Sequence, residues 1–304
     1  MTFVNPGRLY LQKHGKVESY EDILAYADFL RVETGLDGKL PVDLDQIYKR
    51  FNIPHPKFAP LPNQQGLLLD PKHGIILINS KDPERRQKFT AAHELVELLF
   101  SALPQGKDLG CGWFLNRPGG FKESTKEYLC NWTAANLLIP PTYVLELIQQ
   151  YDINFESAHI LSEECEVSLS AALVQLARIS PRCHFVVLWR MKNKPTEIRN
   201  KPAAEQLALF DKGVDIGPAM KLRVEWSMGG PNGLYIPENK STENSSLIYA
   251  AWQSGNFTSG KERMVFDNRT SGWYYSENLP FESDCERYVL SLIEHLGKEI
   301  IYGS

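Results

Sequence analysis

Between Pro83 and Phe100 the sequence describes a helix that is largely apolar and yet carries His93, Glu94 and Glu97. Ala91, Ala92, Leu95, Val96 and Leu98 suit this stretch to burial. Ionised carboxylates in a buried helix are expensive unless a metal or a partner meets them. His93 and Glu97 are spaced i, i+4, so on a helix they leave the same face one turn apart, with Glu94 beside them. A fold for this chain must therefore bring further polar groups to that face.

The flanking segments read consistently with such a helix. Gly66–Leu69 and Gly74–Asn79 are two apolar β-type runs around Asp70-Pro71-Lys72-His73, which predicts a hairpin. Ser80 and Asp82-Pro83 supply N-cap and first-turn signals for a helix from about 83 to 100. Upstream, apolar spacing predicts helices over 19–33 and from Pro41 to Phe51. Downstream, 103–120 is rich in Gly and Pro and reads as a loop, and a helix from about 122 is stopped at Pro140-Pro141. Short helical patterns continue to Ile179. After Cys183 the texture changes to short β-type runs, CHFVVLWRM, KLRVEW, GLYIP, SLIYAAW and RMVF, with a last helix expected over 282–296. The expected fold class is α+β, divided into a mostly helical domain with a small sheet over 1–140, a helical connector over 141–181, and an α+β domain over 182–304.

Composition excludes some function classes. The 304 residues hold 33 Lys and Arg against 37 Asp and Glu, a net charge of −4, which rules out a generally basic nucleic-acid coat. No apolar run approaches the ~18 residues that suggest a membrane-spanning helix, and no membrane partner is expected. The N-terminus has no secretory h-region, and the five cysteines form no CxxC pair. A reducing cytoplasm is the expected location.

The segment from Glu127 to Pro140 supplies the second half of the chemistry. In HExxH metalloproteases a histidine pair on one helix holds zinc and the enclosed Glu is the general base. Here the second position is Glu97, and the motif alone also suits a solvated charged face. Glu127, on a second helix, is a chemically suitable third ligand. Ile76-Leu77-Ile78-Asn79, Phe89-Thr90, Ala92-His93-Glu94 and the Glu127 segment together resemble the ImmA/IrrE family of zinc-dependent peptidases. The resemblance covers roughly residues 20–140. It implies one catalytic zinc held by His93, position 97 and Glu127, with Glu94 as general base. It also implies cleavage of a helix-turn-helix transcriptional repressor in a stress, DNA-damage or phage-related response, and a C-terminal sensory domain of the GAF type. Glu97 departs from the family's histidine. Two carboxylates would lower the charge of the site and suit Mn2+ or Fe2+ better than a nitrogen-rich set. An active peptidase with altered ligation, a slow or regulated metal binder and a non-catalytic regulatory binding module all remain open.

Two cysteines lie near this pattern. Cys111 sits between glycines in the 103–120 loop, where a thiolate could occupy the open metal position and hold the site off, or have no role. Cys130 shares a helix face with Glu127 and is expected to be a packing residue. Arg85 and Arg86 open the motif helix and read as a solvated first turn. The 158–179 segment has a helix-turn-helix outline, but Glu163, Glu164 and Glu166 would repel phosphate, so a structural connector is expected. Aromatic residues interleaved with Lys and Arg after Cys183 suit either the core of an α+β domain or a site for single-stranded DNA or a small-molecule activator.

Overall fold

A computed structural model describes residues 2–103, 123–196, 220–229, 236–266, 272–283 and 285–297. The chain is α+β and divides into two compact units, one of residues 1–150 and 159–172, the other of 151–158 and 173–304. Among the described residues no helix is long and apolar enough to cross a membrane.

The first unit begins with α1 (Pro6–His14), α2 (Tyr20–Thr34) and α3 (Leu44–Phe51). A capping box starts α2: Ser19 Oγ accepts from the Asp22 N–H while the Asp22 carboxylate accepts from the Ser19 N–H. Three short strands follow, β1 (Lys57–Ala59), β2 (Gly66–Asp70) and β3 (Ile75–Asn79), in the order β1-β3-β2. The expected hairpin is β2 with β3, paired antiparallel, and β1 lies parallel on the other edge. The motif helix is α4 (Glu84–Ala102), followed by α5 (Glu123–Leu138) and α6 (Pro141–Gln150).

The start of α4 corrects the expected cap. Pro83 is the N-cap residue and no side chain caps the first turn; instead Gln87 Nε2 reaches back to the carbonyls of Asn79 and Asp82. Of the two arginines expected to form a solvated first turn, Arg86 is exposed and Arg85 is engaged. Arg85 donates to Ser162 Oγ, the Val167 carbonyl and Glu163, and Lys88 pairs with Glu166 at 2.8 Å. These contacts reach the end of α7 (Phe155–Cys165) and the turn into α8 (Leu169–Ile179). Two of the three acidic residues that argued against DNA binding are therefore the partners of α4 cations.

The position of α5 depends on a buried cation. Arg31 of α2 is 3% exposed, and its guanidinium donates to the carbonyls of Asn136 and Leu137 in the last turn of α5 while pairing with Asp28. A cation that meets the carbonyls of a last helical turn also complements the helix dipole. Around it, Ile23, Tyr26, Ala27 and Leu30 of α2 pack with Leu129, Ala134 and Leu137 of α5 in a fully buried layer.

The second unit is an antiparallel sheet of β4 (His184–Lys192), β5 (Lys221–Gly229), β6 (Thr258–Met264), β7 (Gly272–Ser283) and β8 (Glu286–Gly297), ordered β5-β4-β8-β7-β6. Two expectations fail here. Residues 286–297 form the central strand and not a closing helix, because a strand with neighbours on both sides and a covered face reads as a continuous apolar run. The SLIYAAW run is a helix, α9 (Leu247–Ser254), started by Ser246 Oγ accepting from the Tyr249 N–H and ended by Gly255 in the left-handed region. The packing of α9 over the sheet buries Ile248 and Ala251 with Trp189, Tyr274 and Val289, so the two aromatic residues named here belong to the core.

Replacing Arg31 with Ala should lower the unfolding free energy by roughly 2–4 kcal/mol, since two carbonyls lose a charged donor. Denaturant unfolding followed by circular dichroism measures this, and an unchanged midpoint would remove Arg31 from the account of how α5 is held.

Candidate active site

The motif helix α4 lies against α5 and the β2–β3 pair. Its faces are sorted by burial: Ala91, Ala92, Leu95, Val96, Leu98 and Leu99 are core, while His93 and Glu97 are partly exposed on the face turned to α5. On α5 the residues that meet them are Lys126, Glu127, Cys130 and Asn131, which recur at the i, i+1, i+4, i+5 spacing of one helix face.

His93 is oriented by α5. Its Nδ1 lies 3.0 Å from Asn131 Oδ1, so the ring donates to the amide oxygen through Nδ1 and leaves the Nε2 lone pair free. Nε2 then faces Glu127 Oε2 at 3.6 Å. A cation beside Nε2 and Oε2 would find donors from both helices. A second partner that fixes the other ring nitrogen is characteristic of metal-binding histidines.

Glu97 has a different set of neighbours. Lys126 Nζ is 2.6 Å from Glu97 Oε2, and the Cys130 thiol lies 3.6 Å from Oε1. Ligand atoms of His93, Glu97 and Cys130 all fall within 4.8 Å of one another. Burial, with Glu97 as the largest charged contributor, pushes the Cys130 thiol far above its ordinary range, so it is neutral without a metal.

Glu94 is buried at 6% exposure. Its pKa is pushed up to about 8, first by burial and then by the charges of Glu97 and Glu127, against a lowering contribution from the Leu68 backbone hydrogen bond. The β2 strand makes room for it. A Cβ on Gly66 would stand 2.8 Å from Glu94 Oε1 and collide with the Thr90 methyl, so only glycine permits this approach. A cavity of about 270 Å³ opens here, lined by Gln64, Gln65, Gly66, Phe89, Thr90, His93, Glu94, Glu127 and Asn131. Thr90 is 4% exposed and its Oγ1 has no hydrogen-bond partner, which leaves one buried polar atom on the cavity wall unsatisfied.

The donor chemistry fits a divalent cation. One imidazole presents a free lone pair, three carboxylates converge, and the only nearby ammonium among the described contacts, Lys126, is engaged on one oxygen of one of them. Of the residues expected from the sequence, His93, Glu94 and Glu127 line one cavity, and His93 and Glu97 share a donor cluster. Cys111 lies outside the described residues. Sequence reasoning passed over Asn131, Lys126, Gly66 and Thr90. The first two carried a signal, since Lys126 and Asn131 flank Glu127 on one helical face.

A helix-borne His-Glu pair thus faces Glu127 of a second helix across a cleft beside a small sheet. Residues 51–177 match the Peptidase_M78 family model, described as the IrrE N-terminal-like domain. The radiation response metalloprotease IrrE of Deinococcus radiodurans is 34% identical over 125 residues, 41% of this chain and 37% of that protein. The protein of the same name from Deinococcus deserti is 34% identical over 131 residues, 43% of this chain and 45% of its own length. The chain thus spans less than half the length of these curated relatives. Among solved structures, a Mycobacterium tuberculosis transcriptional regulator aligns over 96% of this chain and 80% of its own, with a TM-score of 0.55 and 12% identity, a likeness of fold.

Substituting Gly66 with Ala should destabilise the first unit by about 1–3 kcal/mol, the usual penalty for forcing a methyl group into a filled space. Thermal unfolding of the two proteins measures it; equal melting temperatures would mean that Glu94 and Thr90 have room to move.

Proposed function

We propose that this chain is a metal-dependent endopeptidase whose substrate is a helix-turn-helix transcriptional repressor, cleaved in a stress response such as DNA damage or phage attack. The observation that carries the reading is the orientation of His93: Asn131 occupies Nδ1, and Nε2 is turned to Glu127 on the wall of a cavity that also holds Glu94. His93, Glu97 and Glu127 would hold the ion, with Zn2+ the expected metal and Mn2+ or Fe2+ compatible with its carboxylate-rich ligands. A metal held there would supply Lewis-acid polarisation of the scissile carbonyl and of water. Glu94 would accept a proton from the attacking water and deliver it to the leaving amine, a role suited to a carboxyl whose affinity for protons is raised by burial. Thr90 Oγ1 offers a further hydrogen bond inside the cavity. The proposal includes the division into a peptidase domain over 1–140, a connector over 141–181 and a regulatory domain over 182–304. Support comes from the family of residues 51–177 and from relatives whose names describe a radiation response metalloprotease.

A second reading is favoured by one contact. Lys126 already neutralises Glu97 at 2.6 Å, as expected of a chain that uses the peptidase fold to bind a regulator without cutting it.

Metal analysis of the purified chain and a cleavage assay on a candidate repressor decide between them. The peptidase reading expects stoichiometric metal, lost in His93→Ala. It expects Glu94→Gln to keep the metal while slowing cleavage by about 10²–10⁴-fold. Absence of metal from the wild type, or cleavage unaffected by Glu94→Gln, would overturn it.

A further inference from the structure

Glu97 and His93 supply one carboxylate and one imidazole from α4, and a thiol of α5 stands beside them. Cys130 is fully buried on α5, with Sγ 3.6 Å from Glu97 Oε1, and both belong with His93 to a cluster whose ligand atoms lie within 4.8 Å of one another. A thiolate and a carboxylate on one tetrahedral zinc, with bonds of about 2.3 and 2.0–2.2 Å, stand roughly 3.5 Å apart. The separation of Sγ and Oε1 already meets that requirement. Lys126 holds the other oxygen of Glu97 and so turns Oε1 toward the thiol without blocking it.

We propose that Cys130 is a metal ligand of this chain, acting with His93 and Glu97. The inference rests on the metal-dependent reading above and changes which side chains carry the ion. His93, Glu94 and Glu127 line the cavity, whereas Cys130 is closed off from solvent, so the thiolate holds the metal from the protein interior. Glu127 is then the donor on the open side, where water and substrate enter. Binding replaces the S–H bond by a sulfur–metal bond and releases the proton to solvent. A sulfur donor also moves the preference of the site toward Zn2+ and away from Mn2+.

The test uses the full chain stripped of metal and titrated with Co2+, whose bonds to thiolate give a near-ultraviolet charge-transfer absorption that carboxylate and imidazole do not. The expected result is one Co2+ per chain with that band. Cys130→Ala and Cys130→Ser should both abolish the band and weaken Co2+ binding roughly tenfold or more. Glu127→Gln should retain the band. Alanine fits a helix interior, and an unchanged far-ultraviolet spectrum and melting temperature of the metal-free variants show that the fold is intact. Stoichiometric Co2+ without the band, or a band that survives Cys130→Ala, overturns the thiolate ligand and leaves the metal-dependent peptidase standing. Failure of the wild type to bind Co2+ or Zn2+ overturns both.

Discussion

The packing of α4 against α5 is the contact on which the chemistry of the first unit depends. Each helix alone presents an amphipathic face with charges that are poorly tolerated away from water. Together they convert those charges into a set of mutual partners: Asn131 orients His93, Lys126 holds Glu97, and Glu127 closes on the imidazole. The register between the helices is fixed far from the site, by the Arg31 guanidinium on the last carbonyls of α5 and by the apolar layer of α2 beneath it. A helix whose C-terminus is anchored by a buried cation cannot slide by a turn without exposing that cation's partners.

Electrostatics explain how a carboxylate is accommodated at position 97. Three glutamates on two facing helices repel one another, and that repulsion adds to burial in raising the proton affinity of Glu94. Lys126 offsets part of it: Glu97 and Lys126 together carry no net charge, as a neutral histidine would. The same pair leaves one Glu97 oxygen free to face Cys130. Charge and geometry are thus separated, one oxygen serving neutralisation and the other available for ligation.

The second unit has a different internal logic. A row of polar side chains crosses its sheet under α9: Trp189 Nε1 donates to Ser291, Ser291 to Asn278, Asn278 to Ser276, and Ser276 to Glu262, which also accepts from the Leu247 N–H. Each member has a partner, so the row adds direction to a core that hydrophobic packing alone would leave free to shift. It pins α9 to β6 and sets β8 in the middle of the sheet. The sequence does not show this row: Ser291 falls in the helix expected over 282–296, and Ser276 and Asn278 fall in none of the expected β-type runs.

Helices α2, α4 and α5 and the β2–β3 hairpin were legible from the sequence because their signals are local: apolar spacing, turn residues and a proline stop. Residues 286–297 and 247–254 were misread for the complementary reason. A central strand is a run of apolar residues, and a short apolar helix is another, so composition cannot separate them until neighbouring strands and Ser246 decide. By itself the sequence determined which residues could carry metal chemistry and which helices bear them, since both follow from residue type and periodicity. Only the tertiary structure decided which of those residues meet. The Asn131–His93 bond, the Lys126–Glu97 pair, the approach of Cys130 and the space left by Gly66 all join segments more than twenty residues apart, and contacts at that range depend on how helices and strands pack.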